Sequence, residues 1–192
     1  MAQNYTAPFE TGYHYHVYNR AIGSDKLFHR EANYEYFLRL LKKGPGSFLE
    51  LMAYCLMQNH YHLLVYINDT AKPKEVSESF RRFGISYAQA INKQENRMGS
   101  LFMRPVKRKC VNDLNYLRKM FCYIHQNPVL HRTRDDFRNF KWSSYISILK
   151  NDVSPYTREI LKICFDDRDN FEYVHRKPLD INKISDHIIE EI

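Results

Sequence analysis

Phe48-Leu49-Glu50-Leu51-Met52-Ala53-Tyr54-Cys55-Leu56-Met57-Gln58-Asn59-His60-Tyr61-His62-Leu63-Leu64-Val65-Tyr66-Ile67 is the stretch whose reading decides the fold. Residues 48–57 are nearly all apolar and read as a central strand, and Gln58-Asn59 offers a two-residue turn into a second strand from His60 to Ile67. Side chains alternate across a strand, so His60 and His62 share one face while Tyr61, Leu63, Val65 and Ile67 share the other. The apolar set belongs under helices. The two imidazoles are left about 7 Å apart along the open face, close enough to converge on one metal ion. Two histidines do not complete a site, and an oxygen donor as a further ligand suits Mg2+ or Mn2+ better than a third nitrogen would. An isolated HxH on a strand is more often a pair of polar residues facing solvent, so the rest of the chain must decide.

Upstream, Tyr13-His14-Tyr15-His16-Val17-Tyr18-Asn19 is rich in aromatic and β-branched residues and reads as a first strand. Between it and the hairpin, Tyr34, Phe37, Leu38 and Leu41 form an apolar stripe on a helix from Glu31 to Lys43, which Gly44-Pro45-Gly46 stops. Downstream, a helical stretch over 74–93 precedes a short strand around 102–109. A last core helix then begins, capped by Asn112 or Asp113, with Leu114, Leu117, Phe121 and Ile124 on one face until Pro128 forces a stop. The order is that of an α+β, ferredoxin-like βαββαβ antiparallel sheet with an added C-terminal helix. Its helices are expected to cover one sheet face and leave the other free for a site. Residues 1–150 are expected to form the main domain, and 151–192 an acidic C-terminal extension packed on or beside it.

The charge distribution points to a partner. The chain has 192 residues and a net charge of +7, but residues 81–150 carry fifteen basic side chains against four acidic ones, whereas residues 151–192 carry six against ten. So strong a basic excess in the middle is a footprint for a polyanion, of which nucleic acid is the commonest. Aromatic residues reach 15%, more than a core of this size requires. The four cysteines, Cys55, Cys110, Cys122 and Cys164, have no CxxC spacing and read as reduced core residues. No apolar run approaches a membrane span, and the polar start lacks the pattern of a signal peptide, so a cytoplasmic location is expected.

On the last helix Tyr123 and Asn127 lie four residues apart and therefore stack on one face. Pro128 disfavours helical geometry at Asn127, which places the carboxamide at the expected helix end, free to turn toward a metal. Tyr123 is held one turn earlier. A phenol with a pKa near 10 is a poor nucleophile at neutral pH, but a metal that polarises a phosphate and a positioned base compensate.

At these residues the chain resembles the HUH-type single-tyrosine transposases, and among them the REP-associated tyrosine transposases. The resemblance spans most of 13–145. It rests on Tyr13-His14-Tyr15-His16-Val17-Tyr18-Asn19-Arg20, on Ala53-Tyr54-Cys55-Leu56-Met57-Gln58-Asn59-His60-Tyr61-His62-Leu63-Leu64-Val65, on Tyr123-Ile124-His125-Gln126-Asn127-Pro128 and on Trp142-Ser143-Ser144-Tyr145. It implies that His60 and His62 are metal ligands, that Tyr123 is the nucleophile and that Asn127 is the third ligand, with Gln126 beside it as the alternative. Gln58 departs from the proline usual after the methionine, and Gln126 from a commonly apolar position. The activity implied is cleavage and rejoining of single-stranded DNA near hairpins through a 5′-phosphotyrosine intermediate, with Mg2+ or Mn2+ as cofactor and the protein a monomer or homodimer.

Arg20, Arg81, Arg82, Arg104, Lys107, Arg108 and Lys109 are the candidate contacts to that DNA. Phe83, Tyr87 and Phe102 stand among the cations but at spacings more typical of core. His14 and His16, on the strand expected beside the hairpin, suit a structural or supporting role at the metal site. Trp142 with Tyr145 is expected to pack the C-terminal segment onto the domain. The alternatives are a domesticated protein that binds hairpin DNA for regulation with little catalysis, and an RNA-binding ferredoxin-like module, whose usual aromatic-glycine strand motif is absent.

Overall fold

The computed structural model describes residues 8–103 and 105–179. Four strands, β1 (His14–Arg20), β2 (Leu49–Met57), β3 (His60–Ile67) and β4 (Lys107–Val111), form one antiparallel sheet in the order β2-β3-β1-β4. With α1 (Glu31–Lys43) between β1 and β2 and α2 (Pro73–Gln94) between β3 and β4, this is the expected ferredoxin-like βαββαβ unit. Pro73 starts α2 where its missing N–H costs nothing. The chain continues through α3 (Leu114–Leu130), α4 (Tyr145–Leu149), α5 (Pro155–Phe165) and α6 (Arg168–Arg176).

Helices α1 and α2 cover one face of the sheet. There Val17, Tyr61, Leu63, Val65 and Ile67 pack with Phe37, Phe83 and Tyr87, each ring or branched side chain contributing about 1.5–3 kcal/mol by leaving water. Phe83, Tyr87 and Phe102 are therefore core residues.

The opposite face is not free. It carries a second core in which Met52, Ala53, Cys55, Met57 and Leu64 meet Leu117, Met120, Phe121 and Ile124 of α3, with α5 packed against both that helix and the sheet and α6 against α3. The near-continuous apolar composition of β2 has its cause here, since a strand buried on both faces loses its alternation. Helix α3 is likewise buried at Tyr116, at Leu117 and at every residue from Met120 to Pro128, whereas Leu114, expected on the apolar stripe, is exposed.

Two element boundaries differ from expectation. The strand sought over 102–109 lies at Lys107–Val111, because Pro105 lacks an N–H for the ladder; Phe102 makes only an isolated bridge to Ala21. Helix α3 does not stop at Pro128 but runs on to Leu130. Asp113 caps its start by accepting the Tyr116 N–H at 2.8 Å, and the missing proline N–H removes one bond near the end. The carbonyls beyond remain satisfied, with the Asn127 oxygen accepting from the His131 N–H at 3.0 Å and the Pro128 oxygen from Thr133 at 2.9 Å.

Trp142-Ser143-Ser144 closes the outer edge of β2. Leu56 N–H donates to the Trp142 carbonyl (2.9 Å) and Ser144 N–H to the Tyr54 carbonyl (3.0 Å), while the indole stacks on Tyr34 of α1 at 4.4 Å. Tyr145 is buried against Phe171 of α6, so Trp142 and Tyr145 pack the C-terminal helices onto the sheet as expected. Cys55, Cys110, Cys122 and Cys164 are all free thiols. Among the described residues no helix is long and apolar enough to cross a membrane.

Candidate metal centre and tyrosine

The start of β3 places His60 and His62 on the face toward α3, opposite Arg20 and Tyr18 of β1 and Met57 and Cys55 of β2. The two rings stand edge to face at 5.2 Å. Each has one nitrogen tied down and the other turned toward α3. His60 Nδ1 lies 2.8 Å from the Asn59 side-chain oxygen. The remaining His60 nitrogen, Nε2, lies 3.2 Å from Asn127 Oδ1. The Asn127 amide nitrogen donates to the Tyr123 carbonyl at 3.2 Å, which fixes that oxygen toward the histidine.

His60 Nε2 and the Asn127 oxygen thus face each other across 3.2 Å. Burial, followed by the neighbouring His131, pushes the His60 pKa down to about 4. An imidazole nitrogen and an amide oxygen this close are both donors that a metal cation accepts, and on this ground the residues fit a divalent ion.

His62 is buried, and burial first, then the nearby histidines, holds its pKa well below the ordinary value. Its Nδ1 is 2.8 Å from His16 Nε2, which leaves Nε2 as its other nitrogen. His16 is the supporting residue at this site, driven down to about 3 by burial with the Lys109 charge second. His14 lies at the far end of β1, where its Nε2 meets the Tyr156 hydroxyl at 3.0 Å.

His131, which no sequence motif singled out, caps the end of α3 with its ring 4.4 Å from that of His60. One ligating nitrogen from each of His60, His62 and His131 lies within 4.8 Å of the others, so the three together can hold a metal ion. Gln126 takes no part. Its amide donates to the carbonyls of His175 (2.7 Å) and Lys177 (3.0 Å), on the side of α3 turned toward α6.

Tyr123 points to the histidines. Its ring meets His62 edge-on at 5.3 Å and His16 at 5.8 Å, and the residue is 6% exposed. Tyrosine and histidines therefore form one contiguous cluster, assembled from α3, β1 and β3.

The seven candidate cations separate by face. Arg20 lies opposite His60, and Lys107 and Lys109 pair with Tyr18 and His16, so these three border the site. Arg108 alternates to the helix-covered face, where its guanidinium sits 4.5 Å over the Phe9 ring. Arg81 and Arg82 are on α2, on that same face, both paired with Glu78 at 2.6 and 2.8 Å. Arg104 is outside the described residues.

No protein-family model matches the chain, and no curated protein does. A solved structure does: that of a REP-associated tyrosine transposase bound to a REP hairpin, with a TM-score of 0.64 and 13% identity over 81% of this chain and 89% of that one. The chain shares the fold of that transposase. At 13% identity the likeness is one of backbone architecture.

Proposed function

We propose that the protein is an HUH-type tyrosine transposase that cleaves and rejoins single-stranded DNA beside a hairpin, with Tyr123 as nucleophile and a divalent ion held by His60, His62 and Asn127. The observation that carries this reading is the placement of a phenol against the His62 ring, one helical turn before the carboxamide whose oxygen faces His60. The fold it shares with a hairpin-bound transposase agrees with it.

The Tyr123 oxygen attacks a phosphodiester, forming one O–P bond as the bond to the 3′-oxygen breaks, so the strand ends in a free 3′-hydroxyl and a 5′-phosphotyrosine. The phenolic proton is released, and the departing oxygen takes one up. The exchange is a transesterification, so the covalent bond retains the energy for rejoining and no nucleotide is consumed. A bound divalent ion would polarise the scissile phosphate. His16 keeps His62 in the orientation needed there, Asn127 turns its oxygen to the same point, and the Arg20, Lys107 and Lys109 cations border the path of the backbone.

A labelled single-stranded hairpin from the gene's own flanking DNA, incubated with the protein and Mg2+ or Mn2+ and run on a denaturing gel, tests the reading. A covalent adduct that Tyr123→Phe abolishes is expected. One observation favours hairpin binding with little catalysis instead: Tyr123 is only 6% exposed. Binding without adduct across such hairpins would establish that alternative.

A further inference from the structure

Tyr123, Asn127 and His131 recur at intervals of four residues along α3 and its cap, which puts all three over one face of the helix. That row exists because the helix continues through Pro128. Had it ended there, His131 would have been carried into the loop. Instead its backbone N–H is bonded to the Asn127 carbonyl and its ring lies 4.4 Å from His60.

We infer that His131 is a third imidazole ligand, so that His60, His62 and His131 with the Asn127 oxygen form a nitrogen-rich centre that selects ions such as Zn2+, Co2+ or Mn2+ over Mg2+. The inference rests on the metal-site reading proposed above and changes its chemistry. Nitrogens bound at about 2.1 Å to one ion are at most about 4.2 Å apart, so the spread of up to 4.8 Å requires only a small ring rotation. His131 is half-exposed and can make that rotation. Imidazole suits zinc, copper, iron and nickel, whereas Mg2+ demands oxygen donors in a near-ideal octahedron and surrenders its waters reluctantly. Three nitrogens against one amide oxygen are a poor cage for it.

The test uses the full chain and single metal salts. Zn2+, Co2+ and Mg2+ are titrated by calorimetry into the wild type, His131→Ala, His131→Gln and His60→Ala, with the visible absorption of Co2+ reporting its ligands and a thermal melt of each metal-free protein reporting folding. Wild type is expected to bind Zn2+ and Co2+ far more tightly than Mg2+. Both His131 variants should melt normally, bind Co2+ and Zn2+ more weakly by more than the about 10–100-fold that supporting partners are worth, and change the Co2+ spectrum. Wild-type affinity and spectrum in either correctly folded His131 variant, with binding lost in His60→Ala, would overturn this inference and leave the proposed function standing. Undiminished binding in His60→Ala as well would place the ion elsewhere and overturn both.

Discussion

His16 Nε2 and His62 Nδ1 lie 2.8 Å apart in the interior of the sheet, and one proton between them sets which nitrogen His62 presents to α3. For His62 Nε2 to offer a lone pair, Nδ1 must carry the proton and donate it to His16. His16 then carries its own proton on Nδ1, an atom that is buried without a partner among the described residues, at a cost of about 1–3 kcal/mol. A folded protein that bears this cost gains an oriented His62 ring.

His16→Phe tests that relationship while keeping most of the buried volume. Co2+ affinity measured by calorimetry should fall about 10–100-fold, and the His62 ring nitrogens should show a changed tautomer by NMR. A lower melting temperature with unaltered metal affinity would make His16 a packing residue only.

DNA contact should follow the division of cations between faces. Lys107→Ala with Lys109→Ala should weaken binding of a single-stranded hairpin and flatten the log–log salt dependence by about 1.5, since each phosphate contact contributes about 0.7–0.9. Arg81→Ala with Arg82→Ala, on the helix-covered face and paired with Glu78, should leave both unchanged. Anisotropy across a salt titration reads the two pairs side by side, and a larger loss from the α2 arginines would place the DNA on the other face.

Acid should detach the C-terminal helices. His125 Nδ1 and His175 Nε2 are 2.9 Å apart between α3 and α6, both buried; burial lowers His175 to about 4 and His125 well below its ordinary value. Because the folded pKa values lie below the unfolded value near 6.5, the unfolded chain binds more protons between them. Stability is therefore fully present above about pH 6.5 and falls as pH drops toward 4, by about 3 kcal/mol for His175 alone. Urea midpoints measured between those limits should decline, and the decline should shrink in His175→Phe.

Ser144 ties that pair to the sheet edge. Its Oγ accepts the Tyr54 N–H at 2.9 Å and lies 2.8 Å from His125 Nε2, so Ser144→Ala strands two buried polar groups. A loss of about 1–3 kcal/mol in urea unfolding is expected, against little change for Ser147→Ala on the neighbouring short helix.

Local chemistry made much of this protein legible. Periodicity placed α1 and β3 at their observed bounds, because a helix stripe and a strand alternation are written in neighbouring residues. The same alternation put His60 and His62 on one face. The boundaries at Pro105 and Pro128 were less legible, because proline restricts a backbone locally while the surrounding packing decides whether a strand is broken or a helix carried through.

By itself, then, the sequence determined the element order and the histidine pair, since these follow from periodicity within each element, whereas Tyr123 stood out among fifteen tyrosines only through the family resemblance. Only the tertiary structure decided that His16 meets His62, that Gln126 is committed to α6, that the basic residues divide between two faces, and that His131 stands beside His60. Those relations link residues on different elements, or depend on a helix held intact beyond its proline by the core around it, and no local pattern encodes them.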